Sequence, residues 1–221
     1  MSGITPIDLA GPAGRLEAIL KLPAGRPRMA AVVAHPHPLY GGTLHNKVVY
    51  ATARRLEAHG AAVLRFNFRG VGASQGEHDQ GRGERLDMAA ALAEMRQRHP
   101  GLPLVAAGYS FGAYVALAAG ADGTADRLLA LAPPVGHFDF SFLAASSVPL
   151  VVVSGEEDAL APALELTPRV KRWRGLLAWD VLPDTGHDLA VHRAALDAAL
   201  DRALDRLLPA TPPWEQETAR G

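Results

Sequence analysis

The chain contains no cysteine in its 221 residues. A disulfide framework, a thiolate nucleophile and a zinc–thiolate site are therefore excluded. Charge of one sign is also lacking: 22 basic and 23 acidic residues leave a formal net charge of -1, so no global field attracts nucleic acid or an anionic membrane. No uninterrupted apolar run reaches the length of a membrane span. The first residues, Met1 to Asp8, carry neither a basic stretch nor an apolar one, so no secretory signal is expected and the default reading is a cytoplasmic protein.

What remains is ordinary for a globular chain, with 48% apolar and 20% charged residues. The length suits one well-packed domain. Turn residues Gly11-Pro12-Ala13-Gly14 separate two short segments, Ile4–Leu9 and Arg15–Leu22, and predict an opening hairpin. Apolar runs and amphipathic stretches then alternate. Strands are expected at Met29–Ala34, Ala62–Phe66, Leu104–Ala107, Leu128–Leu131, Pro149–Val153 and Leu176–Leu182. Helices are expected at Asn46–His59, Glu84–Arg98, after Ser110, at Ala163–Trp173 and over Asp188–Leu208. Alternation of this kind predicts an α/β fold with a largely parallel sheet and helices on both faces. The single domain is expected to span residues 1–208, followed by a polar tail at 209–221 that contains Trp214.

Gly108-Tyr109-Ser110-Phe111-Gly112 is the most telling stretch. A strand precedes it and a helix follows, and glycines two positions either side of the serine permit a sharp turn that lifts the hydroxyl clear of the backbone. In parallel sheets reactive groups gather where strands end. Two further strand ends carry suitable groups: Glu156, Glu157 and Asp158 after Pro149–Val153, and His187 after Leu176–Leu182. A serine hydroxyl is a poor nucleophile near neutral pH and needs an imidazole base, which a carboxylate then orients.

The serine turn and the order Ser, acid, His resemble the α/β-hydrolase superfamily, specifically small lidless serine hydrolases with a His-Pro-His-Pro-x-x-Gly-Gly loop. The resemblance runs from about Arg15 to Leu207. It implies an α/β-hydrolase fold without a cap, with Ser110 as nucleophile, His187 as base and Asp158 as the acid. Asp158 is preferred over its neighbours because Gly155-Glu156-Glu157-Asp158 fits the family's Gly-x-x-Asp spacing. Asp184 and Asp188 are expected to cap the loop or the next helix.

The resemblance also implies an oxyanion hole. One donor is the backbone N–H of Phe111, at a helix N-terminus. The second comes from His35-Pro36-His37-Pro38-Leu39-Tyr40-Gly41-Gly42. The prolines have no N–H, which leaves His37, Leu39 and Tyr40, with Leu39 favoured. The His35-x-His37 pair lacks further ligands at metal-binding spacing, so no metal and no cofactor is expected. Glu77-His78-Asp79 reads as a solvated loop, and Asn67–Gly76 as a structural turn beside the site. About 15 residues separate Leu128–Leu131 from the next strand, too few for a cap domain, and Phe138, Phe140 and Phe142 there read as a packed turn.

The expected activity is hydrolysis of a small ester or thioester through an acyl-enzyme on Ser110, with a small-molecule acyl substrate and no nucleic-acid partner. The alternatives are a peptidase or amide hydrolase, or a non-catalytic binding protein on a hydrolase scaffold.

Overall fold

The computed structural model describes residues 4–208; the expected tail lies outside them. The opening hairpin pairs β1 (Ile4–Gly11) with β2 (Gly14–Lys21) antiparallel, in register Ile4 to Lys21. After it come β3 (Met29–Ala34), α1 (Lys47–Ala58), β4 (Ala61–Phe66), α2 (Arg82–Arg98) and β5 (Leu104–Tyr109). The second half runs α3 (Phe111–Gly120), β6 (Arg127–Leu131), β7 (Leu150–Gly155), α4 (Ala163–Val170), β8 (Leu176–Leu182) and α5 (Arg193–Leu207).

The eight strands form one sheet in the order β1-β2-β4-β3-β5-β6-β7-β8. β2 meets β4 antiparallel, and every later pairing is parallel. The central strands β3 to β7 read as continuous apolar runs because helices cover both faces. Alternate residues separate into two cores. Val32, Leu64 and Leu104 pack toward Met88, Val115 and Leu166 of α2, α3 and α4. Val33, Val63 and Val151 pack toward Val49, Leu56 and Leu200 of α1 and α5. Each such side chain contributes about 1.5–3 kcal/mol through burial.

Two helix ends differ from expectation. α5 begins at Arg193, not Asp188. Tight turns take up the preceding residues, with Leu189 N–H donating to the His187 carbonyl (3.0 Å) and Ala190 N–H to Asp188 Oδ1 (3.1 Å). Helical pattern continued through Leu189, but these local bonds compete with the helix. α4 ends at Val170, and the chain turns so that Trp173 packs on Phe140 with ring centroids 5.9 Å apart. Between β6 and β7 the only helical segment is a 3-10 turn, Ser141–Ala144, so no cap domain is inserted there among the described residues.

Candidate active site

β5 delivers Ser110 to that edge. Its backbone has φ 55° and ψ -123°, a conformation that strains a residue with a side chain. Ser110 N–H donates to the Leu131 carbonyl at 2.8 Å, and its own carbonyl accepts from Ala113 N–H at 2.8 Å, so the strained turn is clamped on both sides. A Cβ on Gly108 would collide with the Gly112 carbonyl, and one on Gly112 with the carbonyls of Ala34 and His35. Glycine is required at both by close backbone approach. Although Ser110 occupies the N-cap position of α3, its hydroxyl makes no cap bond.

That hydroxyl instead lies 2.8 Å from His187 Nε2. On the far side of the ring, Nδ1 is 2.9 Å from both oxygens of Asp158, which is buried. An ionised carboxylate only accepts, so the ring proton resides on Nδ1 and Nε2 is left to accept from Ser110. Asp158 Oδ1 also accepts from the N–H groups of Leu160 (2.9 Å) and Ala161 (3.2 Å), which hold the carboxylate in place. Glu156 and Glu157 are exposed; Glu156 Oε2 turns to Asp184 N–H at 3.3 Å. Of the three carboxylates, only Asp158 reaches His187.

Tyr109, which the sequence left without a role, supports this arrangement. Its hydroxyl donates to the His187 carbonyl (3.0 Å) and its ring stacks on the imidazole, with centroids 5.5 Å apart and planes at 28°. Burial pushes the phenol upward from its ordinary pKa, so it stays a donor.

The fold agrees with the comparisons. Residues 26–142 match the serine aminopeptidase, S33 family. The chain belongs to this family of α/β-hydrolases. An uncharacterized protein of Rickettsia prowazekii (strain Madrid E) is 40% identical over 167 residues, 73% of this chain and 70% of that protein. Among solved structures, a Xanthomonas campestris α/β serine hydrolase without a lid is 35% identical with a TM-score of 0.87, covering 96% of this chain and 98% of that one. An α/β serine hydrolase homologue from Coxiella burnetii is 33% identical with a TM-score of 0.84, covering 92% and 98%.

In this S33-family hydrolase the loop after β3 is held by side chains that sequence patterns missed. His35 is buried with both ring nitrogens engaged: Nδ1 lies 2.6 Å from the Pro36 carbonyl, and Nε2 accepts Phe68 N–H at 3.0 Å. Neither nitrogen remains to ligate a metal. Desolvation pushes its pKa down from 6.5 to about 4. The folded state thus binds fewer protons than the unfolded chain, and its stability falls as pH drops from about 6.5 toward 4. On the order of 3 kcal/mol is at stake. Urea titrations of wild type and His35→Gln across that range are expected to show a shallower pH dependence in the variant; equal slopes would contradict this assignment.

The same loop carries the candidates for the second oxyanion donor. Leu39 N–H, the expected donor, is taken up by His37 Nδ1 at 3.2 Å, and Tyr40 N–H by the His37 carbonyl at 3.1 Å. Among the described residues, the N–H groups of His37 and Phe111 have no hydrogen-bond acceptor.

Behind the loop, the Glu77-His78-Asp79 segment is not simply solvated. Glu84 is fully buried and accepts from Gly81 N–H (2.8 Å) and Asp79 N–H (2.9 Å). His78 Nδ1 lies 2.7 Å from its Oε1, in contact rather than in line for a hydrogen bond. The Asn67–Gly76 turn is anchored by Arg69, whose guanidinium forms a two-pronged pair with buried Asp87 at 2.7 and 3.0 Å.

Ser110 sits on a saddle between two lobes of an open cleft, and His37, Tyr40 and Leu160 line both. One lobe, about 550 Å³, extends past His187 to Thr43, His45, Lys47 and Asp188. The other, about 490 Å³, is walled by Phe111, Pro134, His137 and Phe138. Both are of ligand size.

Proposed function

We propose that the protein hydrolyses small carboxylic esters or thioesters through a Ser110 acyl-enzyme. The observation that carries this reading is the hydrogen-bonded chain Ser110 Oγ–His187 Nε2, His187 Nδ1–Asp158, at 2.8 and 2.9 Å beneath an open cleft. His187 takes the proton as Ser110 attacks the carbonyl, and Asp158 stabilises the imidazolium that forms. Negative charge on the carbonyl oxygen is met by the N–H groups of Phe111 and His37, the former at the N-terminus of α3. His37 replaces Leu39 as the second donor because the latter's N–H is already used within the loop.

The family's aminopeptidase description suggests a different substrate. An aminopeptidase must hold the α-ammonium of the residue it releases, beside the acyl carbon. The lobe away from His187 has no carboxylate among its lining residues, which counts against that use. The test compares p-nitrophenyl butyrate with leucine p-nitroanilide, on wild type and Ser110→Ala. Serine-dependent release from the ester, with none from the anilide, is expected. Serine-dependent release from the anilide at a comparable kcat/KM would make the protein an aminopeptidase. A folded wild type that turns over neither ester nor acyl-CoA would favour a binding role.

A further inference from the structure

We propose that the two lobes are not equivalent: the aromatic lobe holds the acyl group and the polar lobe the leaving group. The substrates are therefore esters of apolar, aryl-bearing acids with small or polar alcohols. This assignment rests on the serine-hydrolase reading above.

The position of the base sets the direction. When Ser110 Oγ bonds to the carbonyl carbon, the carbonyl electron pair moves onto oxygen and the hydroxyl proton passes to His187 Nε2. On collapse, the bond to the leaving oxygen breaks, and that oxygen takes the same proton from Nε2. The leaving group must therefore lie on the His187 side of the saddle. His187 lines only the lobe that contains Thr43, His45, Lys47 and Asp188. The acyl chain is left with the opposite lobe.

Deacylation places a second demand on the same geometry. Water must approach the acyl carbon from the side His187 can reach, give its proton to Nε2, and release the acid as Ser110 regains its proton. A polar lobe open to solvent supplies that water once the alcohol has left. An aromatic lobe keeps the acyl chain in place meanwhile.

The aromatic walls of the acyl lobe pack against one another. Phe138 stacks on Tyr114 with centroids 4.6 Å apart and planes at 23°, and meets Phe111 edge-on at 5.7 Å. Phe111 in turn packs against His37 at 4.8 Å. A ring entering this lobe meets aromatic edges and faces at the spacings that favour ring pairing.

Two isomeric esters test the assignment directly. Methyl phenylacetate carries its ring in the acyl half, benzyl acetate in the alcohol half, and their leaving alcohols have similar acidity. Wild type is expected to prefer methyl phenylacetate in kcat/KM by about tenfold or more, after correction for alkaline hydrolysis rates. In Phe138→Ala that ratio is expected to fall to within about threefold. Preference for benzyl acetate in wild type, a measurement that needs no variant, would overturn the assignment. So would a ratio unchanged in folded Phe138→Ala, or hydrolysis of p-nitrophenyl acetate with neither isomer accepted. Loss of serine-dependent turnover on every ester, p-nitrophenyl acetate included, would instead remove the hydrolase reading and the assignment with it.

Discussion

Ser110→Ala is expected to lower kcat on p-nitrophenyl esters by about 10⁵-fold or more while leaving the protein folded. On the proposed mechanism the loss is large because the hydroxyl is the attacking atom, which neither the N–H groups of Phe111 and His37 nor His187 can replace. Stability should barely change. The only hydrogen bond the removed oxygen makes among the described residues is with His187 Nε2, and the turn itself is held by backbone bonds to Leu131 and Ala113. Circular dichroism and a thermal midpoint within a few degrees of wild type would establish that the variant is folded. Turnover near the wild-type rate in that variant would remove the acyl-enzyme mechanism.

Asp158→Asn is expected to reduce kcat by about 10⁴-fold, although the change is one of the smallest possible. An amide can present its NH₂ to His187 Nδ1, which shifts the ring proton to Nε2 and leaves nothing to accept the serine proton. The amide oxygen can still receive the N–H groups of Leu160 and Ala161, so the loop keeps its shape. Glu157→Gln, one residue earlier and exposed, is expected to stay within about twofold of wild type, as surface changes away from the site usually do. The reverse pattern, a crippled Glu157→Gln and a mild Asp158→Asn, would mean that a different carboxylate orients the histidine.

Ser110, Asp158 and His187, which the fold brings into hydrogen-bond contact, stand out in the sequence because each follows a strand and the serine is flanked by glycines that its turn requires. The alternation of apolar and amphipathic segments likewise outlined the sheet and its helices, with Met29–Ala34 and Leu176–Leu182 matching β3 and β8 residue for residue. Where patterns failed, a local or long-range bond decided the outcome. The sequence favours Leu39 as the second donor, but the ring of His37 takes its N–H, a side-chain-to-backbone bond that no spacing encodes. The start of α5 differs for a similar reason, since Asp188 and the His187 carbonyl hold turns where apolar periodicity predicts helix.

Other parts of the site depend on contacts between distant segments. Tyr109 meets His187 across 78 positions, and His35 meets Phe68 across 33. His78 read as solvent-facing because its neighbours are polar and glycine-rich. It is half-buried against Glu84, which α2 brings beneath the loop, and against the rings of His37 and Phe111. Arg69 and Asp87 are 18 positions apart, separated by a long loop and the first one and a half turns of α2, so their pairing needed the fold. Breaking such a buried pair from one side strands a charge and is strongly destabilising.

The most direct measurement is rapid-quench mass spectrometry of the wild-type protein during hydrolysis of p-nitrophenyl butyrate. The expected result is a butyryl adduct on the peptide containing Ser110, formed at the rate of the first p-nitrophenol release and absent from Ser110→Ala. Turnover that proceeds with no covalent species, or with the adduct on any other residue, would contradict the mechanism.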